Sequence, residues 1–231
     1  MADTKSYRVK EIFYTLQGEG AQSGRPAVFC RFSKCNLWNG RESGRASAIC
    51  DFCDTDFIGT DGQNGGIYTA DALAHKISEQ WPTETRSSAN TGIPCVVCTG
   101  GEPLLQLDED VIEAFHQQGF EVAIETNGTL RVPKGVDWVC LSPKGKSDIV
   151  VTECDELKLV YPQPDALPSR FESIQAKHRY LQPMDLTALE SAGLIASDQK
   201  SASTVRETLN YCLQHPQWKL SLQTHKWLGI D

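Results

Sequence analysis

The chain has 231 residues with 40% hydrophobic content, which is enough to bury one substantial core, so residues 1–231 are expected to form a single domain. Its 30 acidic residues outnumber its 22 Lys and Arg residues, and the net charge of −8 argues against a large electrostatic surface for nucleic acid. No stretch of 18 apolar residues is present, so no membrane-spanning helix is expected, and the segment MADTKSYRVK lacks the apolar region of a secretory signal.

Eight apolar runs rich in β-branched and aromatic residues predict strands. They cover residues 8–16, 27–32, 93–98, 122–125, 138–141, 156–161, 179–181 and 218–223. Helical patterns lie between some of these runs. One begins at Thr69, a second is capped by Asp108 and stopped by Gly119, and a third contains Val205, Leu209, Cys212 and Leu213.

Alternation of strands and helices predicts an α/β fold with a mainly parallel sheet. Only about three long helices accompany the eight strands, so a full eight-fold barrel is not expected. The pattern favours a partial, modified (β/α) barrel with reduced helix content. Segments 59–66 and 188–203 are small and polar and are expected to be surface insertions.

Nine cysteines in a chain without a secretory signal are expected to be reduced thiols, metal ligands or core residues of a cytoplasmic enzyme. Three of them, Cys35, Cys50 and Cys53, carry the strongest functional prediction. Electron-carrying [4Fe–4S] clusters use four thiolates, so three would leave one iron open for a ligand. The alternative is a structural zinc site, which needs four Cys or His ligands. No histidine precedes residue 75, so Cys30 would have to be the fourth.

The segment TGGEP at residues 99–103 follows an apolar run and therefore lies at the carboxyl end of a predicted strand. Ligands bind at this end in α/β sheets, and two glycines allow the backbone to approach a ligand closely. SPK at residues 142–144 and QPMD at residues 182–185 also end strand-like runs. They are either ordinary proline turns or further parts of the same ligand-binding edge.

Cys95 and Cys98 form a CxxC within the run that precedes TGGEP. Residues alternate between the two faces of a strand, so both are expected to pack in the core rather than to bind a second metal. The same expectation holds for Cys140, Cys154 and Cys212.

Seven segments, in one order along nearly the whole chain, resemble the 7-carboxy-7-deazaguanine synthases of the radical S-adenosylmethionine (SAM) superfamily. They are EIFYTLQGEGAQSGRPAVFCRFSKCNLW, CDFCDTDF, TGGEP, ETNG, SPK, QPMD and LQTHKWLG. The 14-residue spacing between Cys35 and Cys50 is one of the longer spacings known in that family.

The resemblance implies a lyase that contracts 6-carboxy-5,6,7,8-tetrahydropterin to 7-carboxy-7-deazaguanine with loss of ammonia, a step toward queuosine or another 7-deazapurine. SAM bound to a [4Fe–4S] cluster would give a 5′-deoxyadenosyl radical that takes hydrogen from the pterin C6, and SAM would be regenerated. The resemblance also implies Mg²⁺, a reducing partner such as flavodoxin or ferredoxin, and a homodimer, with no direct nucleic-acid or membrane partner.

Residue by residue, the resemblance implies cluster ligation by Cys35, Cys50 and Cys53 and Mg²⁺ binding by Thr55. The residues implied in SAM binding are Gly101, Glu102, Ser142, Pro143, Lys144, Gln182, Pro183, Met184 and Asp185. Those implied in substrate binding are Leu16, Gln17, Gly18, Glu19, Arg31, Thr99, His225 and Asp231. Arg31 offers a two-donor fork for the pterin carboxylate, although a surface salt bridge is its ordinary alternative.

Two other functions remain compatible with parts of the pattern. A glycyl-radical activating enzyme shares the cluster, SAM and the partial barrel but acts on a protein. A zinc-stabilised binding module would use Cys30, Cys35, Cys50 and Cys53 and would leave TGGEP, SPK and QPMD without a role.

Overall fold

The computed structural model describes residues 5–82, 92–194 and 201–230. Nine strands form one sheet in these residues. They are β1 Tyr7–Leu16, β2 Pro26–Phe32, β3 Gly66–Tyr68, β4 Cys95–Gly100, β5 Glu121–Thr126, β6 Trp138–Leu141, β7 Glu153–Tyr161, β8 Gln175–Pro183 and β9 Lys219–Leu220.

Five α-helices and four short 3₁₀ helices are described with them. The α-helices are α1 Ala70–Gln80, α2 Glu109–Gln117, α3 Thr187–Ser191, α4 Ser201–Gln214 and α5 Thr224–Leu228. The 3₁₀ helices cover Gly20–Gln22, Glu42–Ser47, Pro103–Leu105 and Pro168–Phe171. In the described part of the chain, no helix combines the length and apolar character needed to cross a membrane.

The sheet has the strand order β3-β1-β2-β4-β5-β6-β7-β8-β9. Strand β1 is antiparallel to both β2 and β3, and all pairs from β2 to β9 are parallel. The end strands β3 and β9 are not paired with each other among the described residues, so the sheet stays open. The predicted partial barrel with a mainly parallel sheet and few helices is therefore confirmed.

Helices α1 and α2 cover the outer face of the first half of the sheet. The hydroxyl oxygen of Thr69 accepts from Ala72 N at 3.3 Å, and Asp108 Oδ1 accepts from Val111 N at 3.2 Å, so both predicted N-caps are present. The helix side chains that face the sheet lie at helical spacing and include Leu73, Ile77, Val111 and Phe115. They form one hydrophobic core with the residues of β1, β2, β4 and β5 on the same side of the sheet.

Helix α4 packs on β8 and β9 through a face that the sequence pattern does not predict. Thr208 is fully buried, and its hydroxyl donates to the carbonyl oxygen of Thr204 at 2.6 Å. The apolar positions Val205, Leu209 and Leu213 are exposed instead. A threonine can replace an aliphatic residue in this face because its hydroxyl is satisfied by a main-chain carbonyl.

Both predicted surface insertions contain ordered structure. Strand β3 begins at the end of segment 59–66, and the buried Lys10 amine holds this segment by an ion pair to Asp61 at 2.8 Å and the loop before it by one to Asp56 at 2.9 Å. Helix α3 begins one residue before segment 188–203 and continues into it, and its Leu189 packs on Met184. Residues 195–200 of this segment lie outside the described residues.

The inner face of the sheet has an apolar layer and a polar layer. Side chains alternate along each strand, so the residues of this face lie two apart. Toward the amino ends of the strands the layer is apolar and contains Ala27, Phe29, Cys95, Val97, Ala123 and Trp138. Toward the carboxyl ends the same face presents Arg31, Thr99, Glu125, Lys158 and Gln182. This polar layer is the floor of the candidate site.

Candidate active site

Two adjoining cavities open at the carboxyl ends of the parallel strands. The first, here called the cysteine cavity, is lined by Cys35, Cys50, Cys53 and the ends of β4, β6 and β8. The second, called the arginine cavity, is lined by Arg31, the end of β1 and the segment that contains His225. The two cavities share six lining residues, and a ligand in one would therefore lie beside a ligand in the other. The shared residues are Glu19, Asp54, Thr55, Thr99, Glu125 and Gln223.

The predicted cluster ligands meet in the cysteine cavity although 14 residues separate Cys35 from Cys50. Cys35 follows β2, and its sulfur accepts from Leu37 N at 3.4 Å, the type of hydrogen bond that stabilises cluster-bound thiolates. A hydrogen bond between the Cys50 and Cys53 thiols raises the pKa of Cys50 and lowers the pKa of Cys53 to about 7.

The glycines of TGGEP form a cradle beside the cysteines. A Cβ atom at Gly101 would lie 2.6 Å from Cys35 Cβ and 2.2 Å from Lys34 O, so only glycine fits there. Within the described residues, no three Cys, His, Asp or Glu side chains surround a position for a single metal ion. A four-iron cluster does not need such a position, because each of its thiolates binds a different iron. The residues present therefore fit a cluster with three protein ligands.

The zinc alternative lacks its fourth ligand. Cys30 is fully buried in the outer core beside Cys98 and does not line the cysteine cavity. The CxxC does not converge on a metal either, because Cys95 packs on the inner face and Cys98 on the outer face of β4. Burial raises the pKa of both thiols, to about 11 for Cys95, so they are neutral core residues.

Most of the residues predicted to bind SAM line the cysteine cavity: Gly101, Ser142, Lys144, Gln182, Pro183 and Asp185. They come from TGGEP, SPK and QPMD at the ends of β4, β6 and β8. The Lys144 amine folds back to donate to Ser142 O at 3.0 Å and also contacts Ser142 Oγ. The three segments thus share one edge of the sheet, as their sequence positions indicate.

Three of the predicted SAM contacts lie behind the cavity wall. Pro143 and Met184 do not line the cavity, and Met184 packs among Leu186, Leu189 and Phe52. Glu102 is fully buried. The structure therefore places Glu102, Pro143 and Met184 outside the cavity lining, and their contact with SAM stays a prediction.

Glu102 has a different place in the structure. Its carboxylate accepts from Thr126 Oγ1 at 2.7 Å, from Asn127 N at 2.8 Å and from Leu104 N at 3.0 Å. Burial raises the pKa of this carboxyl, although the hydrogen bonds oppose the rise. Glu102 thus ties TGGEP to the ETNG segment at the end of β5, whose Thr126 and Asn127 do line the cavity.

Thr55 lies at the junction of the two cavities. Its hydroxyl is 3.5 Å from Asp54 Oδ1, so two hard oxygen donors of the kind that Mg²⁺ prefers are adjacent there. The LQTHKWLG segment restrains this loop, because its Lys226 amine pairs with Asp54 Oδ2 at 2.7 Å and also contacts Asp185. Lys226 therefore joins CDTD, QPMD and the LQTHKWLG segment.

The arginine cavity collects most of the predicted substrate residues. Arg31 Nε donates to Glu11 Oε1 at 2.6 Å, and the guanidinium lies over the Phe13 ring at 5.9 Å. Glu11 and Phe13 also line this cavity, so the Arg31 ion pair is part of the cavity wall. The remaining predicted residues that line this cavity are Leu16, Gln17, Gly18, Glu19, Thr99 and His225.

The LQGEG segment is held in place by the end of the chain. Gly18 O accepts from both Thr224 N at 3.0 Å and Thr224 Oγ1 at 2.9 Å. The His225 ring lies so close to Gly18 that a Cβ atom there would be 2.2 Å from His225 Nδ1. Asp231, the last predicted substrate residue, lies outside the described residues.

A buried charge network, which sequence patterns did not reveal, forms the floor between the cavities. The Lys158 amine contacts Glu19 Oε2 at 2.7 Å and Glu125 Oε2 at 3.0 Å. Burial lowers the pKa of Lys158, but the Cys140 thiol and the Glu125 and Glu19 carboxylates raise it above its usual value. The available signal was Glu156 and Lys158, two charged residues in the otherwise apolar run 156–161.

Glu19 is the acceptor of this network rather than an exposed carboxylate. Burial disfavours its charge, but Lys158 and Gln223 outweigh burial and lower its pKa to about 2. Gln182 and Gln223 each donate to Oε1 at 3.0 Å. Any ligand group that donates to Glu19 would therefore use the lone pairs that Lys158, Gln182 and Gln223 leave.

Relatives that cover almost the whole chain carry one enzyme name. The 7-carboxy-7-deazaguanine synthase of Caulobacter vibrioides is 53% identical over 229 residues, which is 97% of this chain and 99% of that relative. The one of Bordetella pertussis is 55% identical over 226 residues with the same shares. The one of Bacteroides thetaiotaomicron is 37% identical over 223 residues, 96% of this chain and 98% of that relative.

The fold also matches a solved structure. The crystal structure of QueE from Escherichia coli superposes with a TM-score of 0.63 at 24% identity and covers 94% of this chain and 93% of that one. No protein-family model matches the chain. The identities to the synthases, at full length, exclude the glycyl-radical activating enzyme as the alternative. The chain belongs to the 7-carboxy-7-deazaguanine synthase family.

Proposed function

We propose that the protein contracts the ring of 6-carboxy-5,6,7,8-tetrahydropterin to 7-carboxy-7-deazaguanine with release of ammonia, a step toward queuosine. One observation carries the proposal for this chain. The cysteine cavity and the arginine cavity share a wall of six residues, so a cofactor at the cysteines and a carboxylated substrate at Arg31 would lie side by side. Family membership supports the same activity.

Membership in this radical SAM family implies a [4Fe–4S] cluster and SAM. Cys35, Cys50 and Cys53 would hold the cluster, and the edge formed by TGG, SPK and QPMD would hold SAM. When bound, the pair would supply the radical chemistry that removes hydrogen from the pterin. The protein's part is to fix the distance between the two ligands and to keep water from the space between them.

Arg31 is proposed to bind the substrate carboxylate. Glu11 engages its Nε, so the guanidinium is oriented before a ligand arrives, and a planar fork can donate two parallel hydrogen bonds to a carboxylate. Thr99 pairs with Arg31 across β2 and β4 and lines both cavities, which makes it a contact between the two ligands.

The Glu19–Lys158–Glu125 network is proposed to orient polar atoms of the pterin at the floor. Two carboxylates surround one amine, so the network carries one net negative charge at neutral pH. Such a charge favours amine and amide N–H donors of a substrate. The arrangement is preorganised, because each group is already held by the others in the absence of substrate.

Mg²⁺ is proposed to bind at Thr55, between the two cavities. The Thr55 hydroxyl and the Asp54 carboxylate lie next to each other there, and Mg²⁺ completes its octahedron with water and substrate oxygens. A cation at this junction would offset the negative charge of the floor and of a substrate carboxylate.

The proposal extends to the working state of the protein. A single domain is supported by the one sheet that joins all described strands. A homodimer and an external one-electron donor such as flavodoxin or ferredoxin are proposed from the family resemblance, together with a cytoplasmic location.

Turnover by the reconstituted protein tests the proposal. The chain is loaded anaerobically with iron and sulfide and given the carboxypterin, SAM, Mg²⁺ and a chemical reductant. We expect 7-carboxy-7-deazaguanine and ammonia in equal amounts, with SAM acting catalytically. A protein that carries its cluster and cleaves SAM, yet leaves the carboxypterin unchanged, would contradict the proposal.

A further inference from the structure

Arg45 is a buried charge in the long excursion between the first two cluster cysteines. It lies in the 3₁₀ helix Glu42–Ser47, and its side chain is 5% exposed. Among residues 39–49, all of which the structure describes, it is the one buried residue. A guanidinium in such a place needs partners for its donors, since burial of an unpaired charge is costly.

The partners of Arg45 lie in the excursion and in the loop that contains Cys50 and Cys53. Nη1 donates to the carbonyl oxygens of Asp51 at 2.7 Å and Cys53 at 2.8 Å. Nε and Nη2 bind both carboxylate oxygens of Glu42, at 2.7 and 2.6 Å. The guanidinium also lies 4.2 Å from the centre of the Trp38 ring. One side chain thus joins the start of the excursion to the loop that contains Cys50 and Cys53.

The excursion itself is closed at its base. Ile49 N donates to Leu37 O at 3.1 Å, and Trp38 Nε1 donates to Arg41 O at 3.3 Å. These bonds bring the chain back to Cys50 but do not fix the main chain of residues 51–53. Within the described contacts, the two bonds from Arg45 to Asp51 O and Cys53 O supply that restraint.

The geometry points to a positioning role for Arg45. We propose that its guanidinium locks the 14-residue excursion onto the Cys50–Cys53 loop, so that the thiols face the cluster position before iron arrives, and that its charge makes the bound cluster easier to reduce. This inference rests on the cluster of the proposed function. The charge lies within electrostatic reach of Cys50 and Cys53, and cluster potentials follow net charge and hydrogen bonding around the sulfurs.

Replacement of Arg45 by lysine separates geometry from charge. Lysine keeps the charge, but its three donors lie on one nitrogen and cannot reproduce the four hydrogen bonds that the guanidinium makes from three nitrogens. Arg41→Lys is the matched control, because Arg41 lies in the same excursion with an exposed side chain. Arg45→Gln removes the charge as well.

The experiment measures iron release to a ferrous chelator after anaerobic reconstitution of each full-length chain, together with the reduction potential of the retained cluster. We expect Arg45→Lys to release iron about tenfold faster than the parent, and Arg41→Lys to match the parent. We expect Arg45→Gln to have a more negative cluster potential than both. Circular dichroism of each apo-protein checks folding, and if Arg45→Gln does not fold, the potential of Arg45→Lys against the parent is expected to be nearly unchanged.

Equal rates of iron release from Arg45→Lys and Arg41→Lys would overturn the positioning role. An unchanged potential in a folded Arg45→Gln, or a large negative shift in Arg45→Lys, would overturn the electrostatic role. A parent chain that binds no iron at all would instead contradict the proposed function, so the two failures are distinguishable.

Discussion

Lys158 Nζ lies 2.7 Å from Glu19 Oε2. This contact joins the LQGEG segment at the end of β1 to strand β7, across 139 residues of the chain. The amine is 4% exposed, and its second partner is Glu125. A buried lysine with two carboxylate partners is stable only as a complete set, because loss of one partner leaves an uncompensated charge. The residues that form the floor of the site are therefore expected to contribute to the free energy of unfolding as well.

Glu19→Gln tests this link through pH. The pKa of Glu19 is lowered to about 2, so its stabilising contribution is fully present above its unfolded pKa and is lost as pH falls from about 4.5 toward 2. We expect the variant to be less stable than the parent by on the order of 2 kcal/mol at pH 7, with the gap shrinking below pH 4.5.

Urea unfolding of the apo-protein at pH 7, 5 and 3.5 measures this gap. Glu153→Gln is the control, because Glu153 is exposed on the same strand β7 as Lys158. A gap for Glu19→Gln that stays constant over this pH range would show that the ion pair does not stabilise the folded state.

Much of the fold was predictable because apolar runs and caps are local signals. Thr69 and Asp108 begin helices where predicted, and β6 has the predicted bounds. Strand β3 was missed because it has three residues and is formed by pairing with β1. The burial of Thr208 in α4 was not predicted, because its hydroxyl is satisfied by a carbonyl oxygen, which hydrophobicity does not encode.

The site was predictable only in part for a related reason. Cys35 and Gly101 belong to short motifs whose chemistry is visible in the sequence, and the structure brings them together. Lys158 and Glu125 are charged residues in separate strands, and their pairing depends on strand order and alternation. Glu102 is the opposite case, because it belongs to a recognisable motif but does not line the cavity. Hydrogen bonds to the ETNG segment hold its carboxylate instead.

Alanine variants of the cysteines separate ligands from core residues. We expect Cys35→Ala, Cys50→Ala and Cys53→Ala each to abolish cluster assembly, because each removes one of three ligands in the cysteine cavity. Cys95→Ala and Cys98→Ala should keep the cluster and cost only about 1 kcal/mol of stability through lost packing. Iron and sulfide analysis after anaerobic reconstitution provides the measurement. Loss of the cluster in either core variant would refute the assignment.

Thr55→Ala tests the magnesium site. The variant should need more Mg²⁺ for half-maximal turnover, while cleavage of SAM by the reduced cluster continues, because the hydroxyl is proposed to bind the ion and not SAM. Thr55→Ser keeps a hydroxyl at the junction of the cavities and should behave like the parent. Superimposable magnesium titrations of Thr55→Ala and the parent would make Thr55 only a loop residue.

Arg31→Lys tests the substrate carboxylate contact. Lysine keeps the charge but loses one of two charge-assisted hydrogen bonds, each worth roughly 1.5–3 kcal/mol, so carboxypterin affinity should fall about tenfold to a hundredfold. SAM affinity should barely change, because Arg31 lines only the arginine cavity. Calorimetry with both ligands measures this, with exposed Arg8→Lys as the control. Equal losses for the two ligands would place Arg31 outside the substrate contact.

Transfer of a label between the two ligands tests whether SAM and the carboxypterin react side by side across the wall that the two cavities share. The substrate is prepared with deuterium at C6 and turned over with unlabelled SAM. We expect deuterium to appear in the recovered SAM at its 5′ carbon, since hydrogen taken from C6 would be returned when SAM is regenerated. Formation of product while the recovered SAM carries no deuterium, or with one 5′-deoxyadenosine released per turnover, would contradict this mechanism.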